Sequence, residues 1–122
     1  MAKILVIDDS AVIRSLLTDF LTDIGHEVET AGDGDEGVRK ARADTYDVCI
    51  CDMHMPKKNG YQLLTDLGDR KHNMQFIFTD SMPDHLGERI SEISDYCQLR
   101  KPFDLTQLRT VLEHTLASVK VQ

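Results

Sequence analysis

The stretch "DVCICDMHMPKKNG", residues 47–60, decides the fold. Val48 to Cys51 form a short apolar run with no polar interruption, the pattern of a strand covered on both faces. The run stops on a carboxylate, Asp52, and the chain then turns through Pro56-Lys57-Lys58-Asn59-Gly60. Strands covered on both faces belong to parallel sheets. There every strand points the same way, so the residue that ends one strand meets those that end its neighbours.

Working outward, "KILVID" (3–8) and "MQFIFTD" (74–80) are runs of the same kind, ending in Asp8-Asp9 and in Thr79-Asp80. "HEVETA" (26–31) alternates acidic with apolar or small residues and predicts a half-exposed edge strand. A last short strand, about Cys97 to Arg100, leads into Lys101-Pro102. Helical spacing fills the gaps. Ser10 stands as an N-cap before Ile13, Leu16, Leu17, Phe20, Leu21 and Ile24, and Gly25 supplies a left-handed stop. "GDGDEG" (32–37) is a turn leading into a helix over about 35–43 with Val38 and Ala41 inward, and Tyr61, Leu64 and Leu67 mark a short helix that Gly68 weakens. Pro83 opens a helix with Leu86, Ile90 and Ile93 inward; Asp104 caps a final one carrying Leu105, Leu108, Leu112, Leu116 and Val119. Five strands alternating with five helices predict an α/β, flavodoxin-like (βα)5 fold, a doubly wound five-stranded parallel sheet in the order 2-1-3-4-5.

The chain has 122 residues, the length of one domain, 1–122, with 41% hydrophobic and 29% charged residues, ordinary for a globular protein. A net charge of -7 argues against a direct grip on nucleic acid, which needs clustered Lys and Arg. No apolar stretch approaches the roughly 18 residues of a membrane span, and "MAKILVIDDS" has too short an apolar segment for a signal peptide, so a cytoplasmic protein without a membrane partner is expected. Cys49, Cys51 and Cys97 are an odd set that reads as core thiols rather than a disulfide framework.

The sheet-edge rule collects Asp8, Asp9, Asp52, Thr79 and Lys101 at one place. Carboxylates packed that closely need protons or a divalent cation, and an all-oxygen site with room for water suits Mg²⁺ or Mn²⁺. "GDGDEG" lacks both the dinucleotide spacing and the Lys-Ser/Thr of a nucleotide loop, and Cys51 has no Arg several residues on, as a cysteine phosphatase would want. What remains is an aspartate nucleophile: Asp52 accepts a phosphoryl group, the cation and Lys101 clamp its oxygens, and Thr79 donates a hydrogen bond.

"DDS" at 8–10, "CDMHMPKKNG" at 51–60, Thr79 and "KPF" at 101–103 together resemble the receiver domain of two-component response regulators, over essentially the full length. The resemblance implies transfer to Asp52 from a phosphohistidine on a sensor histidine kinase or phosphotransfer protein, with an unknown downstream protein partner. It also implies Mg²⁺ held by Asp9, Asp52 and the backbone carbonyl of His54, with Asp8 acting through water, and a cis bond before Pro102.

Two positions depart from that pattern. Asp80 stands where a small residue leaves a path to the acceptor; it either turns outward or modulates access by slowing phosphoryl entry or altering hydrolysis. Gln98 stands where an aromatic switch is usual, and Tyr96, two residues earlier on the same side, is either a stand-in or a packing residue. His54 is expected to supply only its carbonyl, and His26, Lys57 and Lys58 to be solvated. Three readings follow: a phosphoacceptor that signals through protein contacts; a degenerate receiver serving as a constitutive interaction module; and, weakest, a metal-dependent phosphatase, for which the short loops leave no cap.

Overall fold

In a computed structural model describing residues 1–80 and 96–121, five parallel strands form one sheet in the order β2-β1-β3-β4-β5. The strands are β1 (Lys3–Ile7), β2 (Glu27–Ala31), β3 (Val48–Asp52), β4 (Gln75–Asp80) and β5 (Tyr96–Arg100). Four α-helices lie among the described residues, α1 (Ala11–Asp23), α2 (Gly34–Ala43), α3 (Gly60–Leu67) and α4 (Leu105–Val121), with a short 3-10 helix over Gly68–Asn73. The helix expected after Pro83, with Leu86, Ile90 and Ile93, lies outside the described residues. The last strand begins at Tyr96, one residue before its expected start, and so includes the stand-in candidate.

Alternation along the strands divides the core in two. Leu5, Ile7, Cys49, Cys51, Phe76 and Phe78 face α2 and α3, packing with Val38, Ala41, Leu63, Leu64 and Leu67. Ile4, Val6, Val48, Ile50 and Ile77 face α1 and α4, against Leu17, Leu21, Leu108 and Leu112. Each such buried Leu is worth about 1.5–3 kcal/mol relative to exposure. Leu63, which the spacing read from Tyr61 passes over, is fully buried, whereas Leu16, expected inside, is 47% exposed. The apolar stripe of α1 is wider than the face the sheet covers, so its flank meets solvent.

Helix ends follow the capping chemistry. The Ser10 hydroxyl accepts from Ile13 N at 3.3 Å, and Asn59 and Gln62 form a reciprocal capping box at the start of α3. The Asp104 carboxylate accepts from Gln107 N at 2.8 Å. Gly25, at φ 99°, takes the left-handed conformation that ends α1. A Cβ on Gly60 would lie 2.8 Å from the Met53 sulfur, so the turn after β3 needs glycine to fold back over that residue.

Two surface expectations change. Lys58 is not simply solvated: its ammonium pairs with Asp35 at 3.0 Å and with Asp66, tying α2 to α3. His26 accepts a hydrogen bond from Ala2 N through Nδ1 at 3.0 Å, pinning the start of β1. Cys49 and Cys51 are buried free thiols whose pKa burial pushes well up, which leaves them inert as packing residues.

Candidate functional site

The carboxyl end of the sheet carries the site. β1 delivers Asp8 and Asp9, its neighbour β3 delivers Asp52, and β4 places Thr79 beside Asp52 in register. Asp52 and Thr79 follow Ile50 and Ile77 on the α1/α4 face. Carboxylate oxygens of Asp8, Asp9 and Asp52 lie within 4.8 Å of one another, Asp8 and Asp52 buried and Asp9 exposed. Lys101, just after β5, reaches back with Nζ 3.2 Å from Asp8 Oδ2 and 3.3 Å from Asp52 Oδ2. The Lys101–Pro102 peptide is cis.

Backbone donors complete the cradle. Asp8 Oδ1 accepts from Ser10 N at 2.9 Å, so the residue that caps α1 also orients a site carboxylate. Arg14, which sequence reasoning passed over, holds the Asp8 carbonyl at 2.7 Å. Nothing in its helical position marks that reach. Asp52 Oδ1 accepts from His54 N at 3.0 Å, and Met53 N donates to Thr79 O at 2.9 Å.

The charges do not balance. Burial raises the pKa of Asp52, against lowering contributions from the His54 N–H and from Lys101. For Lys101 burial works downward, but Asp52 and Asp8 outweigh it, and its pKa ends raised. The two shifts have different causes: Asp52 is raised chiefly because burial penalises its charge, with a smaller push from Asp8, whereas Lys101 is raised because two acids hold its ammonium. Such a cluster of hard oxygen ligands suits a divalent cation such as Mg²⁺. Thr79 Oγ1 is buried without a hydrogen-bond partner among the described residues, an orphan beside Asp52 that a ligand oxygen would satisfy.

Asp80 does not turn outward. It is 3% exposed, and its carboxylate lies 2.9 Å from His54 Nε2 and 3.4 Å from Gln98 Nε2. His54 thus contributes its side chain as well as its backbone, contrary to expectation. Alternation along β4 puts Asp80 on the face opposite Thr79, and only the neighbouring loop and strand decide whether that face is closed there.

Residues 4–113 match the family model for the response regulator receiver domain. Among relatives, a probable chemotaxis protein CheY of Rhizobium etli is 28% identical over 122 residues, covering 97% of this chain and 95% of that one. The DNA-binding transcriptional regulator NtrC of Azospirillum brasilense is 33% identical over 96% of this chain, which spans only 24% of that protein. Of solved structures, Vibrio cholerae chemotaxis protein CheY4 superposes with a TM-score of 0.86 at 30% identity, covering 94% of this chain and 98% of that one. Response regulator protein TrrA of Thermotoga maritima, solved in complex with Mg²⁺ and BeF, has a TM-score of 0.82 at 28% identity, covering 94% of this chain and 99% of that one.

Proposed function

The chain belongs to the response regulator receiver domain family, and on that premise we propose that residues 1–122 act as one phosphoacceptor domain that takes a phosphoryl group onto Asp52. The observation that carries this reading is the meeting of Asp8, Asp9 and Asp52 oxygens within 4.8 Å, with Lys101 bridging Asp8 and Asp52. The unpartnered Thr79 hydroxyl beside them supports it.

A carboxylate oxygen of Asp52 attacks the phosphorus of a phosphohistidine on a sensor histidine kinase or phosphotransfer protein. The P–N bond breaks, its electron pair returns to the imidazole, and an aspartyl phosphate forms. Asp9, Asp52 and the His54 carbonyl would hold Mg²⁺, with Asp8 acting through water; when bound, the ion neutralises charge on the phosphoryl oxygens. Lys101 answers the same charge from the other side, and Thr79 Oγ1 gains the partner it lacks. The added charge, up to about two units, then biases the surrounding loops towards a second arrangement that alters contacts with a downstream protein. The domain catalyses only its own gain and loss of the phosphoryl group, and works in the cytoplasm without touching nucleic acid. Between α1 and the segment after β5, Ile13, Leu16, Leu17, Phe103 and Leu105 line an apolar groove ending at Lys101, where a protein donor reaching Asp52 would rest.

Intact mass measured with a small phosphodonor tests the reading. One phosphoryl group should be gained with Mg²⁺, and none with a chelator or in Asp52→Asn; labelling that survives this substitution refutes the assignment. The buried Asp80, which follows Thr79 directly in β4, favours one other reading, a degenerate receiver working as a constitutive interaction module. Its signature is no labelling by any donor together with unchanged partner binding in Asp52→Asn.

A further inference from the structure

A buried carboxylate is costly unless its oxygens are engaged, and Asp80 engages both of them away from the acceptor. Its side chain follows Phe76 and Phe78 on the α2/α3 face, opposite Thr79. One oxygen lies 2.9 Å from His54 Nε2, the other 3.4 Å from Gln98 Nε2, and the Asp80 carbonyl accepts from Lys101 N at 2.7 Å. His54 is therefore held twice: its backbone N donates to Asp52, and its ring nitrogen stands in ion-pair contact, not in hydrogen-bond geometry, with the Asp80 carboxylate on β4. The preceding peptide is fixed as well, because Met53 N donates to Thr79 O and Met53 O accepts from Gly60 N.

We propose that Asp80 is a positioning residue, acting through the His54 side chain to hold the turn at residues 52–54, and linking that turn to the exposed Gln98 on β5. The proposal rests on the reading that the His54 carbonyl binds the divalent cation. The ring of His54 is not itself a ligand in that reading, so its removal matters only if its anchorage sets where the carbonyl lies. Groups that orient ligands from behind commonly contribute one to two orders of magnitude to metal affinity. By reciprocity, whatever grips or releases Gln98 alters cation binding, and cation binding alters the surface at Gln98.

Calorimetric titration of the full chain with Mg²⁺ reads this directly. His54→Ala and Asp80→Ala should each weaken Mg²⁺ binding roughly tenfold, and the double variant should be no weaker than either single one. Asp80→Asn keeps an acceptor for His54 and should remain within about threefold of the wild type, a comparison that also holds if Asp80→Ala fails to fold. Gln98→Ala should cost about twofold. Wild-type affinity in His54→Ala overturns the proposal, as does an Asp80→Ala loss that persists undiminished in the His54→Ala background, since the bare field of Asp80 would act without His54. Failure of Asp52 to label would remove the phosphoacceptor reading and leave this cycle readable. A cycle without coupling would remove the positioning role and leave the phosphoacceptor reading standing.

Discussion

The two ends of the sheet use the same residue types to opposite effect. At the amino end, Lys3 pairs with Asp44 and, at 3.5 Å, with Glu29; its backbone N donates to Asp47 at 2.8 Å, and its ammonium lies 5.2 Å from the centre of the Tyr46 ring. Those acids face solvent, and the hydrogen bond from Lys3 lowers the pKa of Asp44. At the carboxyl end Asp52 is 6% exposed, shares Lys101 with Asp8, and has its pKa raised by burial. Ion pairs in water let each acid keep its own solvation, whereas burial without a matching count of cations leaves charge to be answered from outside. The amino end is settled scaffold; the carboxyl end carries an excess of buried negative charge that a cation would relieve.

That contrast can be broken in order of size. Asp52→Asn should abolish phosphoryl labelling altogether, read by intact mass. Lys101→Ala strands Asp8 and Asp52 without their shared ammonium and should destabilise the cation-free fold by about 2 kcal/mol in urea unfolding, less than the 3–5 kcal/mol of a fully buried pair because the lysine side chain keeps 23% exposure. Added Mg²⁺ should recover part of that loss.

Asp52→Asn should also stabilise the cation-free protein, by about 1 kcal/mol, with the gain shrinking as Mg²⁺ is added. The sign follows from the raised pKa: folded Asp52 holds its proton more tightly than the unfolded chain does. Its contribution is therefore fully present below the ordinary carboxylate value and is lost as pH rises through the raised one. In chelator the wild type should lose stability across that window relative to Asp52→Asn, and parallel curves would contradict the raised value. Smallest of all, Asp44→Ala at the amino end should leave the unfolding midpoint nearly unchanged and labelling intact. A large effect there would mean that the two ends are not independent.

Much of this was legible in one dimension. The apolar runs ending in Asp8, Asp52 and Thr79 specify parallel strands and bring those residues to one edge, because a parallel sheet leaves no other meeting place. Ser10 and Asp104 announce helix starts by local capping alone. Arg14 and Lys58 were not legible, since a long side chain on a helix or turn has several partners within reach and only packing selects one.

Asp80 marks the boundary between the two kinds of information. Strand periodicity alone determines that it lies on the face opposite Thr79, because alternate residues of a strand point to opposite sides. Whether that face is open or closed at residue 80 depends on His54, 26 positions earlier in the numbering, and on Gln98, 18 positions later. The sequence by itself thus determined the sheet, the acidic edge and Asp52 as the acceptor to test, all consequences of local periodicity and strand direction. Only the tertiary structure decided that Asp80 turns inward, that His54 is anchored and that Leu16 is left in solvent, because burial depends on what neighbouring elements bring across the sheet.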